Sequence, residues 1–139
     1  MSDEARNVEI LKAAYTRWSD TKGESVDDWL KICAGDIDFG SLAQGAPEGA
    51  RYLTAYDGRS ALKEYFGGLA RDWDMLDWHV DQFIAQGDRV VVLSRCTWRY
   101  KRTGKVVSTP KADVWRFADG KAVEFYEYYD TAQVHAAVV

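Results

Sequence analysis

Apolar residues near the start of the chain fall at Val8, Leu11, Tyr15 and Trp18. These steps of three and four predict a helix from Asp3 to about Asp20, with Ser2 or Asp3 available as its cap. Lys22-Gly23-Glu24 breaks the pattern. Ser25-Val26-Asp27-Asp28 then has the form of a capping box and opens a short second helix carrying Trp29, Leu30, Ile32 and Cys33, which Ala34-Gly35 ends. Ile37 to Leu42 predicts a weak strand, and Gln44 to Arg51 holds enough Gly, Ala and Pro to be a surface loop. A turn over Tyr56-Asp57-Gly58-Arg59-Ser60 leads into a third helix, with Leu62, Tyr65, Phe66 and Leu69 as its apolar face.

Beyond Asp72 the period drops to that of strands. Trp78 to Ile84, Val90 to Tyr100 and Val106 to Phe117 are long β segments, separated by hairpin-type turns at Gln86-Gly87-Asp88 and Thr103-Gly104. Pro110 cannot donate to a ladder, so a bulge or sharp bend is expected there. The stretch Lys111 to Asp130 is the strongest signal in the chain: two aromatic, β-branched runs joined at the Asp-Gly step of ADGK, as in a tight hairpin. Alternation places Lys111, Asp113, Trp115 and Phe117 on one face of the first run, and Val123, Phe125, Glu127 and Tyr129 on one face of the second. Three helices and an early strand followed by a four-strand antiparallel meander belong to the α+β class. A strongly bent sheet whose concave face is only partly filled by helices leaves a pocket.

Composition narrows the reading. At 139 residues, with 47% hydrophobic and 29% charged residues, the chain suits one domain with a real core and not a disordered segment. Aromatics reach 14%, with 6 Trp and 8 Tyr, enough to wall a cavity as well as fill a core. A net charge of -4 without a long basic cluster disfavours nucleic-acid binding. Cys33 and Cys96 lie far apart and read as two buried thiols of a reducing compartment. The polar N-terminus has no signal-peptide pattern and no run approaches membrane-spanning length, so a cytoplasmic protein without membrane contact is expected.

Candidate chemistry gathers on the last hairpin. Asp113, flanked by large aromatics and near Glu127 on the partner strand, is either an ordinary solvated carboxylate or a pocket acid that is costly to bury. If both acids face the pocket, their pKa values should move apart, one holding a proton and the other acting as base. Glu127 could instead simply pair with Lys111. Tyr15 is a helix-stripe residue or a catalytic donor. His79 alternates with Trp78 and Val80 and faces away from them; it is a structural histidine or a proton carrier. Trp29, Phe66, Trp115 and Tyr129 could shape an apolar ligand site or fill the core. No metal-ligand spacing and no phosphate-cradling Gly loop is present, so neither metal nor cofactor is expected.

The order of elements, with GDRVVVL at Gly87 to Leu93 and DVWRFADGKAVEFYEYYD at Asp113 to Asp130, resembles the SnoaL-like and ketosteroid-isomerase-related proteins of the nuclear transport factor 2-like superfamily. The resemblance implies a cone-shaped curved antiparallel sheet with three helices on its concave face, and a homodimer paired through the outer face of the sheet. Ketosteroid isomerases build an oxyanion hole from a helix-one Tyr and a protonated Asp on the penultimate strand. Tyr15 and Asp113 match those positions, while Ser41 stands where the isomerase carries its base, and a hydroxyl does not shuttle protons unaided at neutral pH. Limonene-type epoxide hydrolases use an Arg-x-Asp pair and a last-strand Asp. Lys111-Ala112-Asp113 and Glu127 resemble a softened version, with Phe39 and Ser41 where the water-binding Tyr and Asn would be.

The resemblance therefore implies a small enzyme working by acid/base chemistry, without metal or cofactor, on an apolar or polycyclic small molecule. Asp113 and Tyr15 would hydrogen-bond a developing oxyanion, Glu127 or His79 would move a proton, and Lys111 would tune the pair. Isomerisation, aldol-type cyclisation and epoxide opening all fit. The rival is a binding or dimerisation module that kept the fold and lost the chemistry.

Overall fold

The computed structural model describes residues 1–42 and 56–139. Helix α1 spans Asp3–Asp20, capped by the Ser2 hydroxyl, which accepts from the Ala5 amide at 3.1 Å, with Asp3 and Glu4 favourably placed in its first turn. Leu11, Tyr15 and Trp18 form its buried stripe. Gly23, in the turn after the helix, has a φ of +84° that suits glycine, and an added Cβ would sit 3.2 Å from Met75 Cε. Helix α2 covers Val26–Ile32. Ser25 makes no side-chain cap bond, and Asp28 reaches Arg17 at 3.1 Å, so the expected capping box is not formed.

Strand β1, Cys33–Ser41, and the two-residue β2, Tyr56–Asp57, precede helix α3, Arg59–Asp72. The loop expected over Gln44 to Arg51 lies outside the described residues. Strands β3 (Trp73–Gln86), β4 (Arg89–Tyr100), β5 (Val106–Ala118) and β6 (Lys121–Tyr129) form the meander, and helix α4, Thr131–Val138, follows. The sheet order is β2-β1-β6-β5-β4-β3. The α+β class is as expected, with two differences in detail. β1 runs parallel to β6 within an otherwise antiparallel sheet. A fourth helix also begins where the Asp130 side chain caps the Gln133 amide at 3.1 Å.

Pro110 produces no bulge. It stays in register with Arg95, beside the point where β6 has given way to α4 and one side of β5 has no ladder to lose. The irregularities fall instead between Cys33 and Asp38, between Met75 and Asp77, between Val80 and Gln82, and between Arg116 and Phe117. The last of these adjoins the β5–β6 turn, where Asp119 and Gly120 both have positive φ, +51° and +79°, as a type I′ hairpin requires. Helices α1, α2 and α3 lay their stripes on the inner face of the sheet, where Val90, Val92, Cys96, Trp115 and Phe125 are buried. No helix among the described residues is long and apolar enough to cross a membrane.

Candidate active site

Direct pairing of Asp113 with Glu127 across β5 and β6 sets both acids on the inner face. Their residues are 2% and 3% exposed, so neither is a solvated surface carboxylate. Lys111, two residues before Asp113 and therefore on the same face, bridges them: its Nζ lies 3.0 Å from Asp113 Oδ1 and 2.8 Å from Glu127 Oε1. Its side chain is 11% exposed and lies over the Trp78 ring at 4.9 Å and the Phe125 ring at 5.9 Å.

Two helices each aim a phenol at one acid. Tyr15 on α1 donates to Asp113 Oδ2 at 2.5 Å, and the Trp115 indole N–H donates to the Tyr15 oxygen at 3.0 Å. Tyr65 on α3 donates to Glu127, 3.1 Å and 3.2 Å from its two oxygens. The Tyr15 proton therefore goes to Asp113 and not to the cavity, which differs from the expected pair of donors aimed at a substrate oxyanion. Tyr65 was legible only as part of an apolar helix stripe.

Burial and charge act in opposition here. Burial, reinforced by Asp113, raises the Glu127 pKa above its ordinary value, although Lys111 and Tyr65 favour the ionised form. Burial alone would depress Lys111, but the two carboxylates outweigh it and hold the ammonium above the usual lysine range. Tyr15 and Tyr65 are pushed up by burial first and then by the nearest carboxylate, so both stay neutral. Cys96, on the same inner face, is raised by burial to about 11 and is an unreactive thiol at neutral pH.

The acids open on a cavity of about 80 Å³, well above the roughly 10–15 Å³ that one water needs. Trp29, Phe66, Trp115 and Tyr129 line it as expected, and so do Trp18, Trp73, Trp78 and Trp98. Phe39 and Ser41 do not. Phe39 stacks on Phe125 at 5.3 Å and tilts against Tyr65 at 4.7 Å, one layer behind the wall, and Ser41 pairs with Glu127 along β1 and β6 while remaining buried. The rings close a continuous belt. It passes from Tyr15 through Trp29, Trp115, Phe125 and Phe39 to Tyr65, then returns through Phe66 and Trp18 to Trp29, with centroids 4.2–5.9 Å apart.

His79 does not join the site. In register with Arg95, it points to the outer face, 59% exposed and 3.4 Å from Asp81, because its inward-facing neighbour on β3 is Trp78. Among the described residues, no three His, Cys, Asp or Glu side chains gather as metal ligands would. Chemically, the described residues offer two carboxylates, one ammonium and three neutral phenols at the wall of an aromatic chamber, a set able to hold or move one proton.

The SnoaL-like domain family matches residues 11–125. No curated protein matches the chain in sequence. Among solved structures, a nuclear transport factor 2-like protein from Burkholderia thailandensis is 25% identical, with TM-score 0.80 over 96% of this chain and 97% of that one. TerC, crystallised with polyporic acid, is 24% identical, with TM-score 0.74 over 96% and 98%. A provisionally assigned SnoaL-like polyketide cyclase from Jannaschia sp. CCS1 is 20% identical, with TM-score 0.76 over 99% and 95%. These likenesses establish the fold.

Proposed function

The chain belongs to the SnoaL-like domain family, and from that premise we propose that it is a small-molecule enzyme working by acid/base chemistry on a flat, largely apolar substrate. The observation that carries the reading is the buried pair Asp113 and Glu127, joined by Lys111 at 3.0 Å and 2.8 Å and facing one aromatic cavity. Glu127, whose carboxyl burial holds above its ordinary pKa, is the group suited to take up and return a proton. Asp113 anchors Tyr15 and Lys111 beside it. The indole N–H groups of Trp29, Trp73 and Trp78 have no protein acceptor among the described residues and offer partners to oxygen atoms on a bound molecule. Isomerisation, cyclisation and epoxide opening are the reaction classes that fit.

A second reading, a binding module without turnover, is favoured by one observation: Tyr15, Tyr65 and Lys111 already direct their donors at the protein's own carboxylates. Turnover of a panel of cyclic ketones, enones and epoxides by wild type and by a folded Glu127→Gln variant separates the two. Loss of at least about a hundredfold in the variant supports the enzyme. An unchanged rate removes Glu127 from the chemistry, and compounds that bind without turnover support the module. We also propose a homodimer through the outer sheet face, where Leu93, Val114 and Tyr126 are half-buried and Tyr128 is exposed.

A further inference from the structure

We infer that the cavity is suited to an organic monocation, a flat and mostly apolar molecule that places one ammonium group beside Asp113 and Glu127. The inference rests on the cavity being the ligand site proposed above. Its first support is a count of charge. Among the described residues lining the cavity, Asp113 and Glu127 are acidic and Lys111 alone is basic. Three donors beside the acids point at carboxylate oxygens: Tyr15 at Asp113, Tyr65 at Glu127, and Lys111 at Glu127 while 3.0 Å from Asp113. That geometry sets two carboxylates against one ammonium, and among the described residues the set is short of one positive charge. An uncompensated buried charge is costly. A proton can supply the missing charge, and so can the ammonium of a ligand.

The wall is the second support. All 6 tryptophans line the cavity, and indole faces attract cations within about 6 Å of the ring centre. The chain's own ammonium already uses this surface, with Lys111 Nζ 4.9 Å from the Trp78 ring. The phenols bear on the sign of the charge. Tyr15, Tyr65 and Tyr129 are each held above the usual phenol range by burial and then by a neighbouring carboxylate. A wall that resists phenolate formation also disfavours an anionic ligand.

Proton and cation compete for one place, so affinity for the cation should rise with pH. The titratable groups facing Glu127 are Tyr15 from α1, Tyr65 from α3, Cys96 from β4, Lys111 and Asp113 from β5, and Tyr129 from β6. The phenols and the thiol stay neutral and Lys111 stays charged through the neutral range, and Glu127, whose pKa burial raises, reports the exchange.

The test uses three probes of similar size and measures the quenching of tryptophan fluorescence. They are phenyltrimethylammonium, the neutral isostere tert-butylbenzene, and benzoate. At about pH 8 the cation should bind at least tenfold more tightly than tert-butylbenzene, and benzoate more weakly than either. At about pH 5 the advantage should fall to roughly threefold or less, and Glu127→Gln should remove it at pH 8. If that variant fails to fold, the pH comparison on wild type decides alone. Equal or tighter binding of tert-butylbenzene at pH 8 overturns the inference while leaving the proposed function standing. Failure of all three probes to bind overturns both.

Discussion

Replacing Lys111 by Met isolates the electrostatic heart of the site. The thioether keeps about the length of the stem but deletes the ammonium, and with it the contacts of Nζ with the Trp78 and Phe125 rings. Two carboxylates, 2% and 3% exposed, then share a cavity with no cation on its wall. At an effective dielectric of about 20, the contacts at 3.0 Å and 2.8 Å each correspond to roughly 5–6 kcal/mol of attraction. Desolvation of several kcal/mol per ion opposes that gain, and removing one partner from a buried pair costs about 3–5 kcal/mol net. Lys111→Met should therefore lose about 3–5 kcal/mol at pH 8. The loss should shrink to about 2 kcal/mol or less near pH 4.5, because protonation of Glu127, whose pKa burial raises, removes the unbalanced charge. Urea unfolding of both proteins at the two pH values, with slopes compared to confirm like transitions, measures this. A loss under about 1 kcal/mol at pH 8, or an equal loss at both pH values, would refute the claim that Lys111 neutralises a buried acid pair.

Other consequences follow from the same contacts. The Glu127 pKa in the folded protein lies above its ordinary value of 4.5, so its contribution to stability is fully present below that value and is lost as pH rises through the native pKa. Glu127→Gln should flatten that limb of the stability curve, as read by thermal unfolding across pH 4–8. Tyr15→Phe removes the donor to Asp113 and the acceptor of the Trp115 N–H. It should cost about 1.5–3 kcal/mol in urea unfolding. His79→Ala, on the outer face, should change stability by no more than about 0.5 kcal/mol and leave probe binding unaltered. Val114→Asp should turn a dimer into a monomer in sedimentation velocity if the outer face is the interface.

Much of this site was legible because strand alternation is a strict rule. Once ADGK was read as a hairpin turn, Lys111, Asp113 and Trp115 had to share a face, and Phe125, Glu127 and Tyr129 had to share the face beside them. The same rule turned His79 away from Trp78, and His79 indeed points outward. Alternation is silent on what lies opposite a face. Which helix residue reaches Glu127 depends on how α3 crosses the sheet, and the Leu62, Tyr65, Phe66 and Leu69 stripe presents Tyr65 as one more core ring. The parallel pairing of β1 with β6 joins segments far apart in sequence, and no local signal encodes it. Helix α4 was missed because TAQVHAAV is short and without strong periodicity, although Asp130 stood ready as its cap.

Glu127 is buried at the wall of an aromatic chamber, where burial raises its pKa while Lys111 and Tyr65 hold it in place. Carbon-13 NMR titration of the Glu127 side-chain carboxyl, assigned through the Glu127→Gln variant, measures it directly. The account predicts a midpoint clearly above 4.5 that moves higher still in Tyr65→Phe. A midpoint at or below that value, unmoved by the loss of the Tyr65 hydroxyl, would contradict it.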